Sequence, residues 1–199
     1  WAARARVHPM DREMLSLMKK AGCARLHVGV EAMDDAILKS IKKKTTMKQI
    51  YDFFELCNEI KIDTLAYFII GFPEETEEYR QQLFKRIAKL NPTYVYINIL
   101  FPTPKSEYYD NLVKDGTYDE DYWEKFVKNP VKDFAIPDPR SPELQQTCLK
   151  LADQIHRSFY LSPKFVINDL RRNTSPKMLW LKAQIAIKLL LTTLFPKKG

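Results

Sequence analysis

Glycine is nearly missing from this chain. Five glycines stand among 199 residues, and none of them builds a Gly-x-Gly-x-x-Gly run or a Walker loop. The backbone cradles that hold a pyrophosphate or triphosphate are therefore excluded. Cysteine is equally sparse. Cys23, Cys57 and Cys148 lie far apart, with no metal-ligand spacing and no even number to pair into a disulfide framework. They read as small buried hydrophobes in a reducing compartment, which places the chain in the cytoplasm. Histidine is no richer: His8, His27 and His156 are too widely spaced to suggest a metal site, and there is no His-Glu-x-x-His or Gly-x-Ser-x-Gly. These absences argue against a self-contained kinase, hydrolase or zinc enzyme, and no catalytic residue or metal ligand emerges from spacing. No signal peptide is visible. The first residue is Trp1 rather than Met, and the expectation is a piece of a longer protein.

Positive charge is in moderate excess. The formal charge is +7, with clusters at Lys42-Lys43-Lys44, Arg171-Arg172 and Lys197-Lys198. A solvated basic face accounts for this better than nucleic-acid binding does. Twelve prolines against five glycines argue against long flexible linkers.

The pattern along the first half is regular. Trp1 to Val7 reads as a strand, and Asp11 caps a helix from Arg12 to Ala21 that Gly22 ends. Leu26 to Glu31 is a second strand. Asp34 and Asp35 open one helix, and Thr46 opens a longer one through Ile60. Ile62 to Ile70 is a third strand, followed by a helix to Lys89, and Thr93 to Leu100 is a fourth. Strands alternating with helices predict parallel βαβ units, hence an α/β sheet or part of a barrel. After Tyr108 the pattern changes. A short helix runs to Lys114, an aromatic and charged stretch follows, and a proline-rich loop spans Val131 to Pro142. Ser141 then caps a long helix from Pro142 to Tyr160.

The focus is Leu65-Ala66-Tyr67-Phe68-Ile69-Ile70-Gly71-Phe72-Pro73-Glu74-Glu75-Thr76. An apolar β-branched and aromatic run predicts a strand buried on both faces. Gly71 reaches backbone angles closed to other residues, and the acidic residues after Pro73 suit an electropositive helix start. In α/β folds ligands gather at the carboxyl ends of such strands. Gly71 admits a ligand close to the backbone or serves only as a turn, and Glu74 is a ligand or a dipole partner. Glu31, at the end of the second strand, either accepts hydrogen bonds from an ammonium group or ribose hydroxyls, or is paired with a nearby lysine or faces solvent. Arg4 and Arg6, on one face of the first strand, are expected to salt-bridge to Glu31, with an anionic group in the barrel mouth as the alternative. His27 is expected to point outward toward a helix. Asn98, or the backbone just beyond it, faces a purine ring if the fourth strand borders the same site.

The last segment, Pro176 to Phe195, is the most hydrophobic helix of the chain. Lys182 and Lys188 interrupt it, so it is expected to be buried or partner-covered, with a peripheral membrane contact through residues 176–199 as the alternative.

Several segments in this order resemble the C-terminal half of a radical S-adenosylmethionine (SAM) domain. Lys20-Ala21-Gly22-Cys23 with Val28-Gly29-Val30-Glu31-Ala32 is similar to the family's helix, turn and fourth strand. Leu38, Ile41, Lys43 and Thr46 match its Leu-x-x-Ile-x-Lys-x-x-Thr pattern. Ile69, Gly71 and Glu74 are in register with its fifth-strand Gly-x-Ile-x-Gly-x-x-Glu, with Tyr67 where the first glycine often stands. Phe101-Pro102-Thr103-Pro104 fits the end of the sixth strand. The likeness covers about residues 1–116 and is nearest to the cobalamin-binding class that includes anaerobic Mg-protoporphyrin ester cyclases.

The resemblance implies a partial (β/α) TIM-like barrel, the last four strands of a six-stranded barrel over 1–116, with a mainly helical C-terminal extension over 117–199. It implies a parent enzyme, a radical SAM oxidoreductase using SAM, a [4Fe-4S] cluster and, in this class, cobalamin. Glu31 would contact the SAM ribose or amino-acid end, Ile69 and Gly71 would flank the adenine, and Glu74 would support the loop. The backbone from Leu100 through Phe101 to Pro102 would help hold the adenine. The family's Cys-x-x-x-Cys-x-x-Cys motif is not among the 199 residues. The chain alone is thus expected to be inactive and to hold no cofactor, and to partner the N-terminal half of its own barrel or a second copy through the edge at Trp1 to Val7. The competing expectation is a non-enzymatic α/β binding or scaffold module that engages a membrane or partner protein through its basic, apolar C-terminus.

Overall fold

The computed structural model describes residues 1–172 and, beyond them, Lys177, Trp180, Leu181, Ala183 and Gln184. The helix expected over Pro176 to Phe195 therefore lies largely outside the described residues. Four parallel strands form one sheet in the order of the sequence: β1 (Ala2–Ala5), β2 (Arg25–Glu31), β3 (Asp63–Ile70) and β4 (Tyr94–Ile99). Between them run α1 (Arg12–Lys20), α2 (Asp35–Ser40), α3 (Met47–Ile60) and α4 (Glu77–Leu90). Then come α5 (Glu107–Lys114), α6 (Tyr122–Lys128), α7 (Pro142–Tyr160) and α8 (Pro163–Arg172). This is a partial barrel of α/β type with helices following. The last helix was not expected: Ser162-Pro163 restarts a helix directly after Tyr160.

The helices start where small polar side chains can satisfy free N–H groups. Asp11, Asp34, Thr46, Thr76 and Ser141 each accept from a first-turn amide, and Thr46 with Gln49 completes a capping box. Thr76 places the start of α4 at Glu77, so Glu74 and Glu75 belong to the preceding turn rather than to the helix. Lys61 and Asn91 end α3 and α4 in the left-handed region.

Among the described residues the sheet is covered on one face only. Leu26, Val28 and Val30 of β2 and Ala66, Phe68 and Ile70 of β3 are buried, and they form one core with Leu15, Ile50, Phe53, Phe54, Leu83 and Ile87 of the helices. The alternate residues are half-buried: His27, Gly29 and Glu31 on β2, and Leu65, Tyr67 and Ile69 on β3. The expectation of a third strand buried on both faces is thus corrected. An apolar run reads the same whether its second face is packed or only lined with Leu, Tyr and Ile.

A second, smaller cluster lies after β4, around α5 and α6. Tyr109, Leu112 and Tyr118 are buried together, flanked by Tyr122 and Trp123. Among the described residues no helix is long and apolar enough to cross a membrane.

Candidate functional site

The carboxyl ends of β2, β3 and β4 carry the residues that the sequence singles out. On β2 the pairing with β3 slips between Gly29 and Glu31, and Glu31 takes a φ of 71°. A glutamate in the left-handed region is held there against its preference. The reason lies next door. The Glu31 carboxylate folds back over Gly29, where a Cβ would come within 2.3 Å of its Oε1. Lys43 Nζ donates to that same oxygen at 2.8 Å, with both side chains about three-quarters buried. Glu31 is therefore paired with Lys43, not with Arg4 or Arg6. Lys42 and Lys44 on either side of Lys43 also have positive φ, and that tight loop brings Lys43 back toward the sheet.

On β3, Gly71 has a φ of 91°, so glycine is required there on conformational grounds. Space requires it as well: a Cβ on Gly71 would meet Arg140 Nη1 at 2.4 Å and Cys148 Sγ at 3.4 Å. The Gly71 N–H donates to Glu75 Oε1 at 2.8 Å. Glu75 is the brace of this loop. Its side chain is wholly buried, while Glu74 beside it is exposed. Burial pushes the Glu75 carboxyl above its ordinary range, against the N–H groups of Gly71 and Phe72 and the charges of Arg80 and Arg140. Arg140 reaches in from the proline-rich loop. Asp138 fixes it through two bonds, Nε to Oδ1 at 2.8 Å and Nη2 to Oδ2 at 2.6 Å, which raises its pKa further. Its Nη1 and the Glu75 Oε2 are both buried without a hydrogen-bond partner.

Around this corner lies a cavity of about 910 Å³, with Ile69, Gly71, Phe72, Glu74 and Leu100 at the ends of β3 and β4, Tyr108 from α5 and Arg140 from the proline-rich loop. Ile69, Gly71 and Glu74 thus share one wall. Asn98 stands in register with Ile69 and is exposed. Phe101 is exposed too, and Pro102 is buried with its carbonyl accepting from Trp123 Nε1 at 3.2 Å. Glu31, Asn98, Phe101 and Pro102 do not line the cavity. Sequence reasoning missed Arg140 and Glu75. Nothing near Arg140 marks it, since only the fold brings it across to Gly71; Glu75 was discernible only as one acid in a run of four.

His27 is also corrected. It lies two residues from Gly29 and four from Glu31, so it shares their uncovered face, not the helix face. There its Nδ1 is 3.0 Å from the Tyr67 hydroxyl.

No metal-binding constellation is present among the described residues: no three His, Cys, Asp or Glu side chains converge. The three cysteines are buried, and burial with the nearby Cys23 pushes the Cys57 thiol up to about 12. They do not fit an iron–sulfur cluster.

Comparison with known proteins agrees with the fold. The radical SAM superfamily model matches residues 5–87. An uncharacterized methyltransferase of Pyrococcus horikoshii is 29% identical over 171 residues, 85% of this chain and 36% of that protein. The anaerobic magnesium-protoporphyrin IX monomethyl ester cyclase of Rubrivivax gelatinosus is 30% identical over 114 residues, 56% of this chain and 20% of that protein. The coproporphyrinogen III oxidase of Escherichia coli, a radical SAM enzyme, superimposes with a TM-score of 0.52 at 18% identity, covering 77% of this chain and 32% of that one. The chain spans about a third of the length of the first of these relatives and a fifth of the second. Over residues 5–87, from the end of β1 through most of α4, the chain is thus similar to the radical SAM superfamily model.

Proposed function

We propose that this chain is the C-terminal part of the barrel of a radical SAM enzyme, with residues 1–116 forming the nucleoside-binding wall and 117–199 an extension that closes over it. The observation that carries the reading is the corner at Gly71. There an apolar strand end, a glycine with open backbone and a cavity meet at the carboxyl end of a parallel strand. The family implies SAM and a [4Fe-4S] cluster. When bound together, SAM and the cluster supply a 5′-deoxyadenosyl radical by reductive cleavage, for hydrogen abstraction from substrate.

The residues present suit the nucleoside, whereas the cluster needs thiolates from outside this chain. Ile69, Phe72 and Leu100 offer an apolar slot to a purine ring, with Asn98 on the adjoining strand end. Glu31 still has a carboxylate oxygen to accept from ribose hydroxyls while Lys43 holds the other. Glu75 keeps Gly71 in its left-handed turn, and the backbone at Phe101 and Pro102 would border the ring. Glu74, exposed on the cavity wall, supports the mouth. Cobalamin and a cyclase-like or methyl-transferring reaction are suggested by the names of the relatives alone. The partner of this chain is the remainder of its own barrel.

The test is reconstitution of the full-length parent with iron, sulfide and SAM. Formation of 5′-deoxyadenosine, lost when Glu31 is changed to Ala, is the expected result. A parent gene with no cysteine triplet upstream of Trp1 would sink the reading.

A further inference from the structure

The uncovered face of the sheet carries more chemistry than the strand ends use. At its centre is Tyr67, in register with Gly29 of β2 on one side and Tyr96 of β4 on the other. The Tyr96 ring is half exposed, 5.7 Å from Tyr67 and 6.1 Å from His156 between ring centroids. One residue pair lower, His27 meets the Tyr67 hydroxyl at 3.0 Å, with Arg4 and Leu65 in register on either side of it. Above them lies the Glu31–Lys43 pair.

Other aromatic residues near this sheet are fully employed. Tyr94 is held between the Arg25 guanidinium, 4.2 Å above its ring, and Phe165. Tyr160 spends its hydroxyl on the Val95 backbone. Tyr67, Tyr96 and His27 are different. They form a partly exposed aromatic surface with one hydrogen-bonded Tyr–His pair, and among the described residues the imidazole Nε2 makes no hydrogen bond.

We infer that this face binds a planar aromatic compound bearing an acidic O–H or N–H, stacked on Tyr96, and that Tyr67 with His27 relays its proton. With the imidazole proton on Nε2, Nδ1 accepts from the Tyr67 hydroxyl. A ligand O–H placed against the Tyr67 oxygen gives its proton there while the tyrosine's own proton passes to Nδ1. One O–H bond breaks on the ligand, one N–H bond forms on the imidazole, and no electron changes hands. The space over Gly29, on the β2 side of Tyr67, is taken by the Glu31 carboxylate and Lys43 Nζ, so the cations available to the anion that forms are Lys43 and Arg4, in register with His27 on the same face. The inference deepens the barrel reading, because it places the acidic ring of a substrate where the interior of the barrel would be.

The probe is 4-nitrophenol, whose acidity lies close to that of imidazole and whose absorbance separates phenol from phenolate. It is titrated into the 199-residue chain at a pH just below its own ionisation. Saturable binding with growth of the phenolate band is expected. Tyr96→Ala should weaken binding about 2- to 12-fold, the loss of one aromatic stack. Tyr67→Phe and His27→Gln should bind but show no phenolate band. The glutamine carbonyl retains an acceptor for Tyr67, so this second variant still decides the matter if the first fails to fold by circular dichroism. No saturable binding, binding without the band in the unaltered chain, or a band that persists in both variants would each overturn the relay. A parent that makes no 5′-deoxyadenosine would remove the barrel function and leave this result untouched.

Discussion

At one edge of the sheet β4 is met side-on by α7, whereas at the other β1 has no further strand beside it among the described residues. The two edges face the same difficulty, a row of backbone groups with no ladder to join. At β4 side chains take the place of a strand. The Tyr160 hydroxyl accepts from Val95 N–H at 3.1 Å and donates to Val95 C=O at 2.7 Å. His156 Nε2 accepts from Ile97 N–H at 3.2 Å. Two residues one helical turn apart thus satisfy three consecutive outward groups. At β1 there are four residues, half of them exposed, with Arg4 on the uncovered face. The difference teaches that α7 does more than follow the sheet: it finishes one edge of it.

The largest effect should come from moving the start of α7. Gly71→Ala would force a side chain into the left-handed region and drive Arg140 away from its seat, just before the Ser141 cap. A loss of about 1–3 kcal/mol is expected from the backbone alone, with more from the displaced guanidinium, read as a fall in the urea midpoint. Removing the clamp itself comes next. Tyr160→Phe keeps the ring but leaves the Val95 N–H and C=O unpaired, at a cost of about 1–3 kcal/mol. Hydrogen exchange should then show the Val95 amide opening toward the rate of the outer β1 amides. Equal exchange at both edges in the unaltered chain would erase the comparison.

A pH effect follows in size. As an acceptor, His156 must be neutral, and burial lowers its pKa, only partly offset by Asp153. The folded chain therefore binds fewer protons than the unfolded one as pH falls below the free value of about 6.5. Stability should be complete above that value, decline as pH drops through the window down to the depressed folded pKa, and level off below it. His156→Asn, which offers a carbonyl that does not titrate, should flatten this decline in urea melts between pH 8 and pH 5. The smallest effect is expected at Lys42–Glu107, which ties α5 to the loop after α2 at the surface. Glu107→Gln should cost less than about 1 kcal/mol and fade in high salt.

Much of this frame is readable from the chain. Caps at Asp11, Thr46 and Ser141 announce helix starts because the signal is local: one side chain, one amide three residues on. The strand ends at Glu31 and Gly71 are readable for the same reason. What the sequence hides is nonlocal or a matter of parity. His27 was misplaced because an alternating strand does not declare which face meets the helices. A lysine near Glu31 is readable as its partner, but which lysine is not, because Lys42 and Lys44 in the left-handed region are what turn Lys43 toward the sheet. Arg140 and the pair His156 and Tyr160 act on residues some sixty to seventy positions away, and no periodicity reports such a reach. Even α8 hides, since Ser162-Pro163 looks like a stop and serves as a start.

The clamp of α7 on β4 also gives the sheet a direction of growth. With Val95 and Ile97 spoken for, an added strand cannot be templated there without first prying off a helix of five turns. Any lengthening of the sheet, whether by another chain or by a stray copy, is confined to the β1 side. The molecule behaves as a primed template with one end blocked, and open-ended fibres made by stacking sheet on sheet edge are barred by its own architecture.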